Sequence, residues 1–153
     1  MILLYALLLG VVSGLRTMLA PAAASWAARL GLLSVAGTPL AFMGFRYTPI
    51  ILTVLAIGEL ITDKLPMTPS RKVPMQFGAR IVSGALVGST VGAAYQMLTF
   101  GLLAGAVGAI AGTLGGAALR GKLATVLGKD LPAALIEDVM AVLIALFTVS
   151  RFK

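Results

Sequence analysis

The chain carries five acidic residues, and four of them, Glu59, Asp63, Glu137 and Asp138, lie in or at the edge of long apolar runs. A carboxylate surrounded by hydrocarbon is costly, by about 2.5 to 3.5 kcal/mol at a helix centre on insertion scales, so it normally faces a partner or a water-filled cavity. Glu59 and Asp63 are four residues apart. On a helix that spacing puts both on one face, with Asp63 at the edge of the run and Glu59 about 6 Å deeper. Such a pair can bind a cation or exchange a proton. Glu137 and Asp138 follow Pro132 by five and six residues, which places them about 8 to 9 Å into the last apolar run. Being adjacent, they point about 100° apart, so they are not expected to serve one site together.

Two arginines fall at comparable depth. Arg80 lies a few residues inside the run 76–98, and Arg16 stands near the end of the first run. Either these are ion pairs that hold helices together, with long side chains snorkelling to the interface, or they line a polar pocket or half-channel. In the second case a carboxylate takes the ion or proton, and an arginine tunes it or meets an anionic substrate. Other chemistry has little support. There is no Cys and no His, which removes thiol nucleophiles, disulfides, imidazole bases and the usual zinc or haem ligands. Ser13, Thr17, Ser83 and Ser89 offer hydroxyls, but none has an activating base at nucleophile spacing. The chain is therefore not expected to be an enzyme, and no cofactor or metal site is expected.

The elements that must position these charges are set by composition. Of 153 residues, 59% are hydrophobic and 11% charged, against about 25% charged in a soluble domain, and the mean hydropathy is +1.05. A crossing takes about 20 helical residues, so this length allows at most five or six spans and leaves no room for a separate soluble domain. Residues 1–153 are read as a single integral membrane domain. The net charge of +7 does not point to nucleic acid, because the basic residues fall between apolar runs and not along one polar face.

The runs 2–19, 49–63, 76–98, 101–119 and 132–150 read as spans. Pro21 is expected to kink or end the first, and Pro49 sits suitably in the first turn of the second. The segment 22–45 is long and apolar enough to cross but holds Arg29, Gly31, Gly37, Pro39 and Gly44, so it is a broken span, a re-entrant pair or an interfacial segment. An uncharged turn near residues 95–100 makes a hairpin, and Arg120, Lys122 and Lys129 fall in a connection of about ten residues. The basic turn of Lys64, Arg71 and Lys72 shares a side with that connection, which makes this side cytoplasmic. If 22–45 crosses, there are six spans with both termini outside, and Arg16 joins the cytoplasmic side; if not, there are five. Six is the favoured count. An apolar core at residues 2–12 followed by small residues resembles a signal peptide, but no Lys or Arg precedes it, so a retained first span is expected.

Gly84, Gly88 and Gly92 recur every four residues, as do Gly108, Gly112 and Gly116, with Gly101 and Gly105 on a related stripe. Small residues at that spacing let helix backbones approach closely in lipid, within one chain or between copies. A phosphate loop at Gly115 and Gly116 is the alternative, but it lacks the Gly-Lys-Ser/Thr ending.

Gly14-Leu15-Arg16, the segment Glu59-x-x-x-Asp63-Lys64-x-Pro66, Pro69-Ser70-Arg71, Ala79-Arg80 and Gly84-Ala85 occur together. In this the chain resembles a family of small bacterial integral membrane proteins known as a domain of unknown function. The resemblance runs over about residues 10–88, and the Glu59 to Pro66 segment is its most specific part. It implies a multi-span membrane protein whose signature includes Arg16, Glu59, Asp63, Lys64, Pro66 and Arg80, and it supplies no activity. The two Gly-x-Arg sites, Gly14 to Arg16 and Gly78 to Arg80, also raise an internal duplication, but inverted three-span repeats would put equivalent residues at opposite faces.

The expectation is an all-α polytopic transmembrane helix bundle of the bacterial inner membrane, multi-pass, with glycine-rich packing and a homo-oligomeric state. It would move a small ion or polar solute. Glu59 and Asp63 would form the cation or proton site, with Arg80 and Arg16 as charge partners and Glu137 or Asp138 as a second acid. The rival is a non-transport membrane module, structural or lipid-binding, whose partners are headgroups drawn to Lys64, Arg71 and Lys72 at about 1 kcal/mol per charge.

Overall fold

The computed structural model describes residues 1–64 and 73–152. All regular structure among them is helical: α1 (Ile2–Leu15), α2 (Leu19–Arg29), α3 (Thr48–Thr62), α4 (Pro74–Ala94), α5 (Leu98–Leu127) and α6 (Asp130–Val149), with a single 3₁₀ turn at Ala41–Gly44 between α2 and α3. The helix starts follow local chemistry. Pro74 opens α4 and Pro49 is the second residue of α3, positions where a missing N–H costs no helical bond. At the other extreme α5 runs through Arg120 and Lys122, both good helix formers, and stops only at Gly128, whose φ of 68° is left-handed. The expected ten-residue connection is thus mostly helix, and the bend between α5 and α6 is confined to Gly128 and Lys129.

Pairwise contacts give the directions. The rings of Tyr5 and Phe152 meet edge to face at 5.9 Å, while Arg16 pairs with Asp138, so α1 and α6 are antiparallel. Gly84, Gly88 and Gly92 of α4 lie against Gly105 and Gly101 of α5 and Met97 just before it, again antiparallel. Trp26 of α2 donates to Thr53 of α3 at 3.0 Å, and Glu59 of α3 reaches back to Thr17 and Met18 just before α2. Each helix therefore reverses the one before it. One end of the bundle holds Tyr5, Phe152 and the loop after α2; the other holds Arg16, Asp63, Arg80 and Asp138. These are called the terminal end and the charged end below.

Three helices, α4, α5 and α6, are long and apolar enough to cross a membrane, and α1 and α3 are shorter apolar helices. The segment 22–45 is not a continuous helix. Helix α2 ends at Arg29, and its eleven residues rise only about 16 Å, half the hydrocarbon thickness. The chain beyond uses Gly31 and Gly37 at positive φ to turn, and Leu33, Val35, Leu40 and Met43 pack into the same core as Leu9 and Val91.

The centre is a trio of α1, α4 and α5 in which the glycine stripes meet inside one chain. A Cβ on Gly88 would stand 2.1 Å from the carbonyl oxygen of Gly101, and one on Gly10 would stand 2.2 Å from that of Gly105. Gly108 and Gly112 face Leu7 and Val11 of α1. Backbone lies on backbone along the whole trio, the close approach that small residues at four-residue spacing permit.

Candidate functional site

Between α1 and α2 the chain turns back at residues 16–18. Arg16 adopts an extended conformation, φ −140° and ψ 113°, and α2 restarts at Leu19. The break was expected at Pro21, but Pro21 is the third residue of α2, where its missing N–H again costs nothing. An interruption inside an apolar bundle exposes the last carbonyls of one helix and the first amides of the next, each costly if left without a partner.

One ion pair from two other helices satisfies both ends. The Nη1 of Arg80 on α4 donates to the carbonyls of Gly14 and Leu15, both at 2.8 Å. The carboxylate of Glu59 on α3 accepts the amides of Thr17 at 2.7 Å and Met18 at 2.8 Å, one on each oxygen. Arg80 Nη2 stands 3.8 Å from Glu59 Oε1, so the two caps are also an ion pair. The signs follow the helix dipoles: a cation sits at the C-terminus of α1 and an anion at the N-terminus of α2. Hydroxyls complete the joint. Ser83 bonds the carbonyl of Thr17 and lies 3.2 Å from Ser13, and Thr113 bonds the carbonyl of Gly14 at 3.3 Å.

Arg16 starts a second network. Its side chain is 1% exposed, with Nη1 on Asp63 and Nη2 on Asp138. Asp138 also receives Lys64 at 2.8 Å. Asp63 also receives Arg120 at 3.1 Å, and Arg120 is held in turn by both oxygens of Asp130, at 2.9 and 2.6 Å. The charges alternate, Lys64, Asp138, Arg16, Asp63, Arg120, Asp130, and tie α3, α5 and α6 to the break.

The structure thus brings Arg16, Glu59, Asp63, Arg80 and Asp138 into one layer. Glu137 is buried beside them at 3% exposure, and its charge attracts Arg16 and Arg120. Both adjacent residues thus act on Arg16, although they were not expected to serve one site together. Lys64, expected at headgroups, is 26% exposed and also donates to the carbonyl of Leu60 at 2.9 Å; Arg71 and Lys72 lie outside the described residues. Arg120 and Asp130 were not anticipated as site residues. Their signal was present as an acid ten residues beyond an arginine, bridging a glycine stop, but it reads as ordinary loop charge unless α5 is known to continue.

A cavity of about 260 Å³ opens at this layer, lined by Thr17, Met18, Glu59, Thr62, Asp63, Gln76, Ala79 and Arg80. A second, almost wholly apolar groove of about 250 Å³ lies between α2, α3 and α6.

An all-helical bundle with membrane-length helices and a charged layer at a helix break is the architecture of a membrane protein. The chain belongs to the family described as Domain of unknown function (DUF4126), whose model matches residues 3–151, nearly the whole bundle. No curated protein matches it, and no solved structure does.

Proposed function

We propose that this is a multi-pass protein of the bacterial inner membrane that transports a small ion or polar solute through the break between α1 and α2. The observation that carries this reading is the cavity that reaches Glu59 and Arg80, the two side chains that hold the facing ends of α1 and α2. Helix ends that face a polar site inside the bundle are how transporters make binding positions at membrane depth without exposing backbone to lipid. In this topology the charged end is cytoplasmic. It carries Arg16, Lys64, Arg80, Arg120, Lys122 and Lys129, with Arg71 and Lys72 adjacent in sequence, against Arg29, Arg46 and Arg151 toward the other side. A homo-oligomer belongs to this reading and would use faces other than the glycine stripes, which are consumed within the chain; chemical crosslinking in native membranes tests it.

The transport assignment is tested by a solute screen in proteoliposomes, with Glu59→Gln beside the wild type. Flux that depends on Glu59 supports it. If Glu59→Gln leaves both flux and any proton coupling unchanged, Glu59 is not part of the pathway. A second reading, a non-transport membrane module, draws support from the pairing of Glu59, Asp63, Asp130 and Asp138 with cations. It predicts no flux of any solute and only a loss of stability in the variant.

A further inference from the structure

We infer that the groove between α2, α3 and α6 holds one acyl chain of a membrane phospholipid, whose phosphate stands at Lys64. The inference goes beyond the transport reading and does not depend on it. Helix α3 carries Glu59 and Asp63, yet only Pro49 and Ala56 of its 15 residues are buried. It packs on α2 and on the 3₁₀ turn, and the groove of about 250 Å³ lies between it and α6. Ala22, Ala56 and Ala145, at 5, 5 and 2% exposure, form the floor. Their short side chains leave a gap in the bundle, and atoms that face a gap lose dispersion contacts until something fills it. The polar side chains on the wall are Trp26 and Thr53. Trp26 Nε1 donates to Thr53 at 3.0 Å, and Thr53 donates to the carbonyl of Pro49 at 2.6 Å. Water needs several polar partners to settle in a cavity, so this groove calls for hydrocarbon.

Shape and polarity identify the occupant. From Leu19 to Trp26 the groove follows α2 for about 10 Å, along the helix axes and so along the direction of lipid chains. Over that length its volume leaves a cross-section of about 25 Å². A helix with its side chains is about 10 to 12 Å across and cannot enter, whereas a polymethylene chain can. Toward the terminal end the Trp26–Thr53 bond joins α2 and α3. At the charged end Lys64 and Asp138, one turn beyond Leu60 and Val142, bridge α3 and α6 at 2.8 Å. Lys64 Nζ also donates to the carbonyl of Leu60 at 2.9 Å. These bonds use two of its three donors, and the third suits a phosphate oxygen. The other oxygen of Asp138 is held by Arg16. Because the layer behind this mouth holds Glu59, Asp63, Asp130 and Glu137 as well as Arg16, Arg80 and Arg120, net charge does not draw the headgroup. The chain supplies the binding, and Lys64 fixes the level of the phosphate.

Trp26 is the only tryptophan of the chain and stands 41% exposed on the rim, so its fluorescence reads the groove. The test titrates the full chain in a nonionic detergent with phosphatidylcholine brominated on its acyl chains and, in a parallel arm, with brominated phosphatidylglycerol. Quenching should saturate at one lipid per chain, at similar concentrations for both headgroups. Ala23→Leu narrows the groove and should raise the half-saturating concentration at least about tenfold, the equivalent of keeping two methylene groups out. Ala111→Leu, the same change on an exposed face of α5, should leave it unaltered. Quenching of the wild type that grows with lipid and never saturates overturns the inference, a readout that needs no variant. Unchanged binding in Ala23→Leu also overturns it. Saturation by one headgroup alone overturns the leading role of the chain. A wild type that is dimeric by light scattering and shows no lipid quenching, with a monomeric Ala23→Leu, assigns the groove to a second copy instead.

Discussion

Around Gly88 and Gly105 the bundle is held by what its residues lack, whereas around Arg16 it is held by charge. In the α1, α4, α5 trio the backbones touch because no side chain separates them. At the charged end Gly14 still lies on the backbone of α5, but Gly78, Gly115 and Gly121 have open space beside them. There, long side chains from α3, α4, α5 and α6 reach across to a stretch of open backbone and to one another. The first region is stiff and has one solution. The second is made of long side chains from four helices, and the trio serves as its frame.

The sharpest way to break this contrast is to remove the cation that caps α1. Arg80→Met should strand the carbonyls of Gly14 and Leu15 and leave Glu59 without its guanidinium, costing about 3 to 5 kcal/mol, as truncation of one member of a buried pair generally does. Unfolding in mixed detergent micelles, followed by circular dichroism, measures it. A double-mutant cycle with Glu59→Gln should show coupling, since both residues serve one joint. A loss under about 1 kcal/mol would mean that the break is closed by something other than this pair.

Next in size is an insult to the frame. Gly88→Val would place a Cβ 2.1 Å from a carbonyl oxygen and 2.8 Å from the Gly105 Cα. Because backbone faces backbone, no side chain can yield, and α4 and α5 must part. The expected cost is about 3 kcal/mol, the upper part of the overpacking range, with no specific effect on ion pairing at the charged end. An intact bundle with an unchanged Tm would show that the trio is looser than this packing.

How legible each region was follows from the same difference. The glycine stripes could be read because helix packing in lipid leaves a periodic mark, and Gly84, Gly88 and Gly92 do line one contact. What the stripe could not say is which helix it meets, since α1, α5 or a second copy would all leave the same pattern. The charged layer was half legible. Depth along each run placed Arg16, Glu59, Asp63, Arg80 and Asp138 near one level, because burial of charge is costly enough to make position informative. The roles of Glu59 and Arg80 as caps were not legible, since their partners are the backbone groups of Gly14, Leu15, Thr17 and Met18, which have no side-chain signature. The break itself was misplaced for a related reason. Pro21 draws attention as a helix breaker, yet within a first turn it is harmless, and the interruption falls where two charged side chains can satisfy the exposed ends.

Within the charged end the network should weaken toward its margin. Lys64 is the most exposed cation paired to Asp138, and Asp138 keeps Arg16 when Lys64 is truncated. Lys64→Met should therefore cost only about 1 kcal/mol, the upper part of the surface-pair range, and should lose most of that effect in high salt. A salt-independent loss of several kcal/mol would place Lys64 among the fixed members beside Arg16.

The smallest expected effect separates one glycine from its neighbours. Gly115 stands in the middle of α5 like Gly105 and Gly112, and by sequence it belongs to the same glycine-rich stretch. A Cβ there meets nothing within 4 Å, whereas one at Gly112 would stand 2.2 Å from the Val11 carbonyl oxygen. Gly115→Ala adds a methyl group to open space and removes the conformational freedom that glycine brings to a helix interior, so it should stabilise the protein by about 0.5 to 1 kcal/mol. Gly112→Ala, the same chemical change three residues away, should destabilise it, because the gain in helix propensity is smaller than the cost of separating α1 from α5. Opposite signs for the two substitutions in one unfolding assay would show that the frame depends on which face of α5 a glycine occupies. Equal signs would mean that the stripe acts through helix propensity alone, and the contrast between a packed frame and a charged joint would lose its basis.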